Sequence, residues 1–93
     1  MLITWNPSNA VTNQNKHGVK FEEAATIFTD PLSSTYPSDD HSENEQRFVT
    51  IGVSANKQIL VVAHTEDENT IRIISARNPT RQERRFYEKG RPS

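Results

Sequence analysis

The run Ile59-Leu60-Val61-Val62-Ala63 constrains this chain more than any other feature. A strand alternates its side chains between two faces, so a run apolar at both parities predicts a central strand covered on both sides. With 93 residues, only 32% of them hydrophobic, the chain has little material for that cover. The central strand is expected over Gln58–Thr65, with neighbours at Arg47–Val53 and Thr70–Arg77. The connections Ser54-Ala55-Asn56-Lys57 and Glu66-Asp67-Glu68-Asn69 are short and polar, as hairpins require. The three strands should therefore form an antiparallel meander.

Helices have to supply the cover. Asn6-Pro7 follows a short strand candidate, Leu2-Ile3-Thr4-Trp5, and reads as an N-cap with proline in the first helical position. That helix runs through Lys16-His17 and ends at Gly18; holding only Ala10 and Val11 as apolar residues, it belongs on the surface. Phe21, Ala24, Ala25 and Phe28 fall at i, i+3, i+4 and i+7, one apolar stripe of a second helix stopped by Asp30-Pro31. Residues 32–45 are a polar connection with a short edge strand at Ser34–Tyr36. After the meander, Thr80 and Glu83 form a capping box for a last helix that reaches Lys89 and is ended by Gly90 and Pro92. Phe86 and Tyr87 are its only large apolar residues, so its docking should be light. The expectation is one α+β domain over residues 1–93, with a stability of about 5–10 kcal/mol.

Composition removes several function classes. There is no cysteine, which excludes disulfides, thiolate metal sites and a cysteine nucleophile. The longest apolar run is too short for a bilayer and the amino terminus has no signal-peptide pattern, so a cytoplasmic protein that meets no membrane is expected. The net charge of −1 conceals two poles. Residues 21–50 carry Glu22, Glu23, Asp30, Asp39, Asp40, Glu43 and Glu45 against Arg47 alone. Residues 71–93 carry Arg72, Arg77, Arg81, Arg84, Arg85, Lys89 and Arg91 against Glu83 and Glu88. A basic end can be a solvated helix, but its preference for arginine over lysine suits bidentate phosphate or carboxylate recognition.

A set of motifs in fixed order bears on function. Trp5-Asn6-Pro7, Asn13, Lys16-His17-Gly18-Val19 and Phe21-Glu22-Glu23-Ala24 are followed by Asp30-Pro31, then by Asp40-His41-Ser42 with Glu45 and Arg47. Arg72-Ile73-Ile74-Ser75-Ala76-Arg77, Thr80, Glu83-Arg84 and Tyr87-Glu88 complete the series. This series resembles the signature of BrnT-type toxins and spans nearly the whole chain. Asn6 departs from the family's usual Asp, Asn9 from a common basic residue, and Lys20 from a Ser or Thr cap, the last at a cost of about 1 kcal/mol.

The resemblance implies a RelE-like fold and a ribonuclease that needs no metal or other cofactor and blocks translation. It also implies neutralisation by a BrnA-type antitoxin of the ribbon-helix-helix class, in a complex of two toxins and two antitoxins. Operator DNA would be reached only through that antitoxin.

Metal-free RNA cleavage needs a base for the 2′-OH, cations for the phosphorane and an acid for the leaving oxygen. His17, His41, His64, Glu45 and Tyr87 are the acid–base candidates; Arg47, Arg72, Arg77 and Lys16 are candidate phosphate clamps, with Arg81, Arg84 and Arg85 as further RNA contacts. Arg77 ranks first, because it sits where a strand hands over to a helix. A salt bridge to Glu45 or Glu83 is its competing role. Strand parity places Arg77 with Ile71, Ile73 and Ser75, and Arg72 with Ile74 and Ala76. The two arginines can share a face only if the strand carries a bulge or Arg77 has left it. His64 can equally be a structural histidine, His17 a surface one, and Glu45 with Arg47 a plain ion pair. His41, with no second ligand at metal spacing, is not expected to hold a metal. A binding module without catalysis, or a degenerate toxin kept as co-repressor, is the alternative to the enzyme.

Overall fold

The computed structural model describes residues 1–39 and 45–90; Asp40, His41 and Arg91 lie outside them. Five strands are described: β1 (Leu2–Trp5), β2 (Ser34–Pro37), β3 (Phe48–Val53), β4 (Ile59–Asp67) and β5 (Thr70–Arg77). The helices are α1 (Pro7–His17), α2 (Phe21–Ala25), continued by a 3-10 turn over Thr26–Thr29, and α3 (Arg81–Lys89). The sheet order is β1-β5-β4-β3-β2. β3 to β5 are antiparallel as the hairpin spacing predicts; β2 pairs antiparallel with β3, and β1 joins parallel to β5 and makes the sheet mixed. A meander accounts for three of the strands, not for the edge supplied by the amino terminus.

The central strand is covered on both faces. On one face Leu60 and Val62 meet Val19, Phe21, Ala24 and Ile27 from the helices, with Ile73 and Ala76 from β5. Trp5 closes this layer, its ring edge-on to Phe21 at 6.0 Å. On the other face Ile59, Val61 and Ile51 are covered by Tyr87 of α3. The second cover is thinner, since α3 brings one buried side chain to it. The Phe21 stripe does form a helix, but the helix tightens into the 3-10 turn after Ala25. There Ile27 packs beside Gly52, where a Cβ would stand 3.2 Å from the Cβ of Ile27 and 3.1 Å from that of Ser33, so any larger residue at that crossing would have to push these neighbours back by a few tenths of an ångström.

The caps follow the sequence reading. Asn6 Oδ1 accepts from the amides of Ser8 and Asn9, and Gly18 ends α1 in the left-handed region at φ 72°. Lys20 provides no side-chain cap to α2. Thr80 and Glu83 make the reciprocal capping box of α3.

One irregularity decides how the functional residues are arranged. Val61, Val62 and Ala63 stand opposite Arg77, Ala76 and Ser75, but the next residue, His64, stands opposite Ile73. Ile74 is thus an extra residue in β5, a bulge that inverts the alternation beyond it. Ile73 and Ala76 consequently share the helix-covered core. Arg72, opposite Thr65, and Arg77, opposite Val61, share the other face. The simple alternation that separated the two arginines holds only up to the bulge.

Candidate active-site face

The face that α3 leaves half-covered carries two carboxylate–guanidinium pairs. Arg77 grips Glu83 with its two terminal nitrogens, at 2.7 and 2.9 Å, and donates to the carbonyl of Asn78 at 3.2 Å. Arg72 donates from Nη2 to both oxygens of Glu45 at 2.7 Å. Glu45 thus pairs with a strand residue 27 positions away, from β5. Both arginines stay open to solvent, with side-chain exposures of 42% for Arg72 and 41% for Arg77. Arg77 is salt-bridged to Glu83, one of the two partners expected for it, and its Nε–H and one further hydrogen are not used in these bonds. Arg47 continues the β2–β3 ladder, its carbonyl accepting from the amide of Ser38, and alternation from Phe48 assigns it to this same face.

Glu83 is doubly held. The Arg77 fork and the Thr80 amide draw its carboxyl down to about 2, while the hydrogen bond to Glu83 raises Arg77 further. A depressed carboxyl stabilises the fold fully above its unfolded value near 4.5, and that stability is lost as pH falls toward 2. Solvent around Arg77 reduces the contribution to on the order of 1 kcal/mol. Burial lowers His64 as well, so it opposes folding as pH falls below about 6.5, where the unfolded imidazole protonates. The urea midpoint is expected to fall in two stages on acidification. In Glu83→Gln the loss between pH 4.5 and 2 should be smaller than in wild type; an identical loss would rule out this assignment.

The candidates do not all converge. His64 is fully buried on the helix-covered face. Its Nε2 lies 2.7 Å from Thr50 Oγ1, which in turn contacts Thr35 Oγ1 at 2.7 Å, and its ring lies between Phe28 and Phe48. The sheet separates it from Arg77. Tyr87 is 3% exposed and its hydroxyl donates to Asp30 Oδ2 at 2.6 Å, so it sits in the core and not on the surface. Lys16 and His17 line a cleft of about 180 Å³ between α1 and the bulge, together with Asn9, Thr12, Ile74 and Ser75. Ser75 belongs to the arginine face, so the cleft adjoins it. Arg81, Arg84 and Arg85 are exposed on α3. Among the described residues no group of three His, Asp or Glu side chains gathers as a metal site.

Two groups carry roles that the sequence did not assign, although Asn13 stands in the motif series. Asn13, 5% exposed, bonds the backbone of Ala76 from inside α1; an asparagine amid a weakly apolar helix was the available signal. Tyr36, read only as edge strand, stands at the Arg77–Glu83 pair. Burial and Glu83 raise its phenol, with Arg77 acting against them. Only the fold brings β2 and α3 together, so nothing local to Tyr36 announced it.

Residues 5–83 match the model of a family described as the ribonuclease toxin BrnT of type II toxin–antitoxin systems. The fold is similar to the 1.1 Å crystal structure of the Brucella abortus ribonuclease toxin BrnT, with a TM-score of 0.67 and 21% identity. The similarity covers 87% of this chain and 99% of that one. No curated protein matches the sequence significantly. Among the described residues no helix is long and apolar enough to cross a membrane.

Proposed function

The chain belongs to the BrnT family of ribonuclease toxins of type II toxin–antitoxin systems, and from that premise we propose that it cleaves RNA without a metal on the face carrying Arg72 and Arg77. The observation behind this reading is the bulge at Ile74, which brings both arginines to one open face, each with its own carboxylate. In the reaction the substrate's 2′-oxygen bonds to the adjacent phosphorus and the bond from phosphorus to the 5′-oxygen breaks. A cyclic phosphate and a 5′-hydroxyl result. Arg77 and Arg72, with Arg47, hold the charge that builds on the phosphoryl oxygens. Glu45, a half-exposed carboxylate on this face, takes the 2′ proton. His17, which lines the α1 cleft along which the RNA enters, gives a proton to the leaving 5′-oxygen, and Lys16 contacts the same strand. His64 serves as a core hydrogen-bonding group. Arg81, Arg84 and Arg85 attract the RNA backbone.

In this reading the chain is a single cytoplasmic toxin domain of RelE-like layout that arrests translation. A BrnA-type antitoxin of the ribbon-helix-helix class restrains it in a complex of two toxins and two antitoxins, through which operator DNA is bound. The test is incubation of the purified chain with single-stranded RNA in EDTA. Fragments ending in 2′,3′-cyclic phosphate are expected. Cleavage that disappears with chelator would overturn the metal-free route. Tight binding with intact RNA would favour the non-catalytic co-repressor.

A further inference from the structure

An apolar groove lies beside the Arg77–Glu83 pair. Tyr36, Ile51, Gln82, Glu83 and Phe86 line a groove of about 460 Å³. Phe86 is 53% exposed and Tyr36 37%, high values for rings of this size. The two rings meet edge-to-face at 6.5 Å and 79°, so the edge of one rests on a single face of the other and the pair still presents aromatic surface to the groove. On its far side Phe86 borders a second groove, of about 410 Å³, with Gln82, Arg85 and Lys89. Phe86 is thus a ridge with an apolar trough on one flank and a cationic trough on the other. The apolar trough has Glu83 in its wall, and that carboxylate is held by Arg77.

We infer that the Tyr36–Phe86 groove is a stacking subsite for one unpaired nucleobase of the RNA, which sets where the strand lies relative to Arg77. Aromatic faces bind bases whatever their sequence, and flanking cations hold the adjoining phosphates. Charge selects this occupant. Arg85 and Lys89 line the groove that adjoins Phe86, and Arg77 pairs the one carboxylate in the wall of the apolar groove, so the rings adjoin cations that suit a polyanion carrying flat bases. The inference rests on the ribonuclease reading and adds a residue pair that reading does not use.

The test measures binding of a fluorescein-labelled single-stranded RNA nonamer with 2′-O-methyl riboses, which cannot be cleaved, and of copies carrying one abasic site each. Phe86→Ala should raise Kd about tenfold, the size of one lost base–aromatic stack. Phe86→Trp should bind like wild type, and Phe86→Leu like the alanine variant. In wild type the abasic site should weaken binding strongly at one position. In Phe86→Ala the same abasic site should add little, the coupling expected of groups in contact. Equal effects of abasic sites in both proteins would overturn the subsite while leaving the ribonuclease reading intact. So would a Phe86→Ala chain that binds the nonamer normally but resists its purified antitoxin, which would mark a protein-docking groove. A wild-type chain that neither binds the nonamer nor cleaves RNA would remove the ribonuclease reading and the subsite together.

Discussion

Arg77→Ala is expected to reduce RNA cleavage by about 10²–10³-fold, the usual loss when one preorganised donor to a developing oxyanion is removed. The loss should exceed that of Arg72→Ala. Arg77 is anchored at three points, by two bonds to Glu83 and one to the Asn78 carbonyl, whereas Arg72 rests on Glu45 from a single nitrogen. A donor held in place before the substrate arrives needs less reorganisation during reaction. Arg77→Lys keeps the charge but loses the fork, so it should recover only part of the rate. Stability should change far less than activity, because Glu83 still accepts from the Thr80 amide. The comparison is single-turnover cleavage against the thermal midpoint for the three variants and wild type. Wild-type cleavage by Arg77→Ala would remove this arginine from the reaction.

The sequence carried this site only in part. Local signals were reliable: the Asn6 cap, the Gly18 stop, the Thr80–Glu83 box and the both-parity run of β4 are each encoded within a few residues, and each is present in the fold. The parity of Arg72 and Arg77 was legible only up to a stated condition. A bulge depends on how β5 registers against β4, and no residue between Arg72 and Arg77 is a glycine that would advertise it. The parallel pairing of β1 with β5 was equally hidden, being a contact between residues about seventy positions apart. His64 stayed open between a structural and a catalytic role for a related reason. Its place beside an apolar run was visible, but the face it takes, toward Thr50 and the phenylalanines, is set by strand register. Partner choice behaved in the same way, with Glu45 meeting Arg72 across the sheet.

The largest effect on stability is expected at Asn13. β1 reaches only as far as Ile73, so the backbone of β5 beyond it lacks a strand neighbour on that side. Asn13 supplies one: Oδ1 accepts from the Ala76 amide at 3.0 Å, and Nδ2 donates to the Ala76 carbonyl at 2.9 Å and the Val19 carbonyl at 3.0 Å. Removing the side chain leaves three backbone groups without this partner in a largely buried place, each costing about 1–3 kcal/mol. Their sum need not be additive, yet Asn13→Ala should cost about 3 kcal/mol or more, a large share of what a small domain has. For a chain of this length that corresponds to a fall of about 12–20 °C in Tm. Asn13→Asp is the sharper test. It retains the acceptor for the Ala76 amide but turns a second carboxylate oxygen toward two carbonyls, so near neutral pH it should be at least as damaging as alanine. As pH falls the acid protonates, sooner than a free carboxyl because burial and the two carbonyls disfavour its charge, and Asn13→Asp should then regain ground on Asn13→Ala. Because Ala76 adjoins Arg77, loosening this anchor should also release the arginine from its place, so cleavage at temperatures below the lowered Tm should fall in both variants. A Tm within about 3 °C of wild type in Asn13→Ala would show that water or a shifted α1 satisfies Ala76 equally well, and that the end of β5 is held by its pairing with β4 alone.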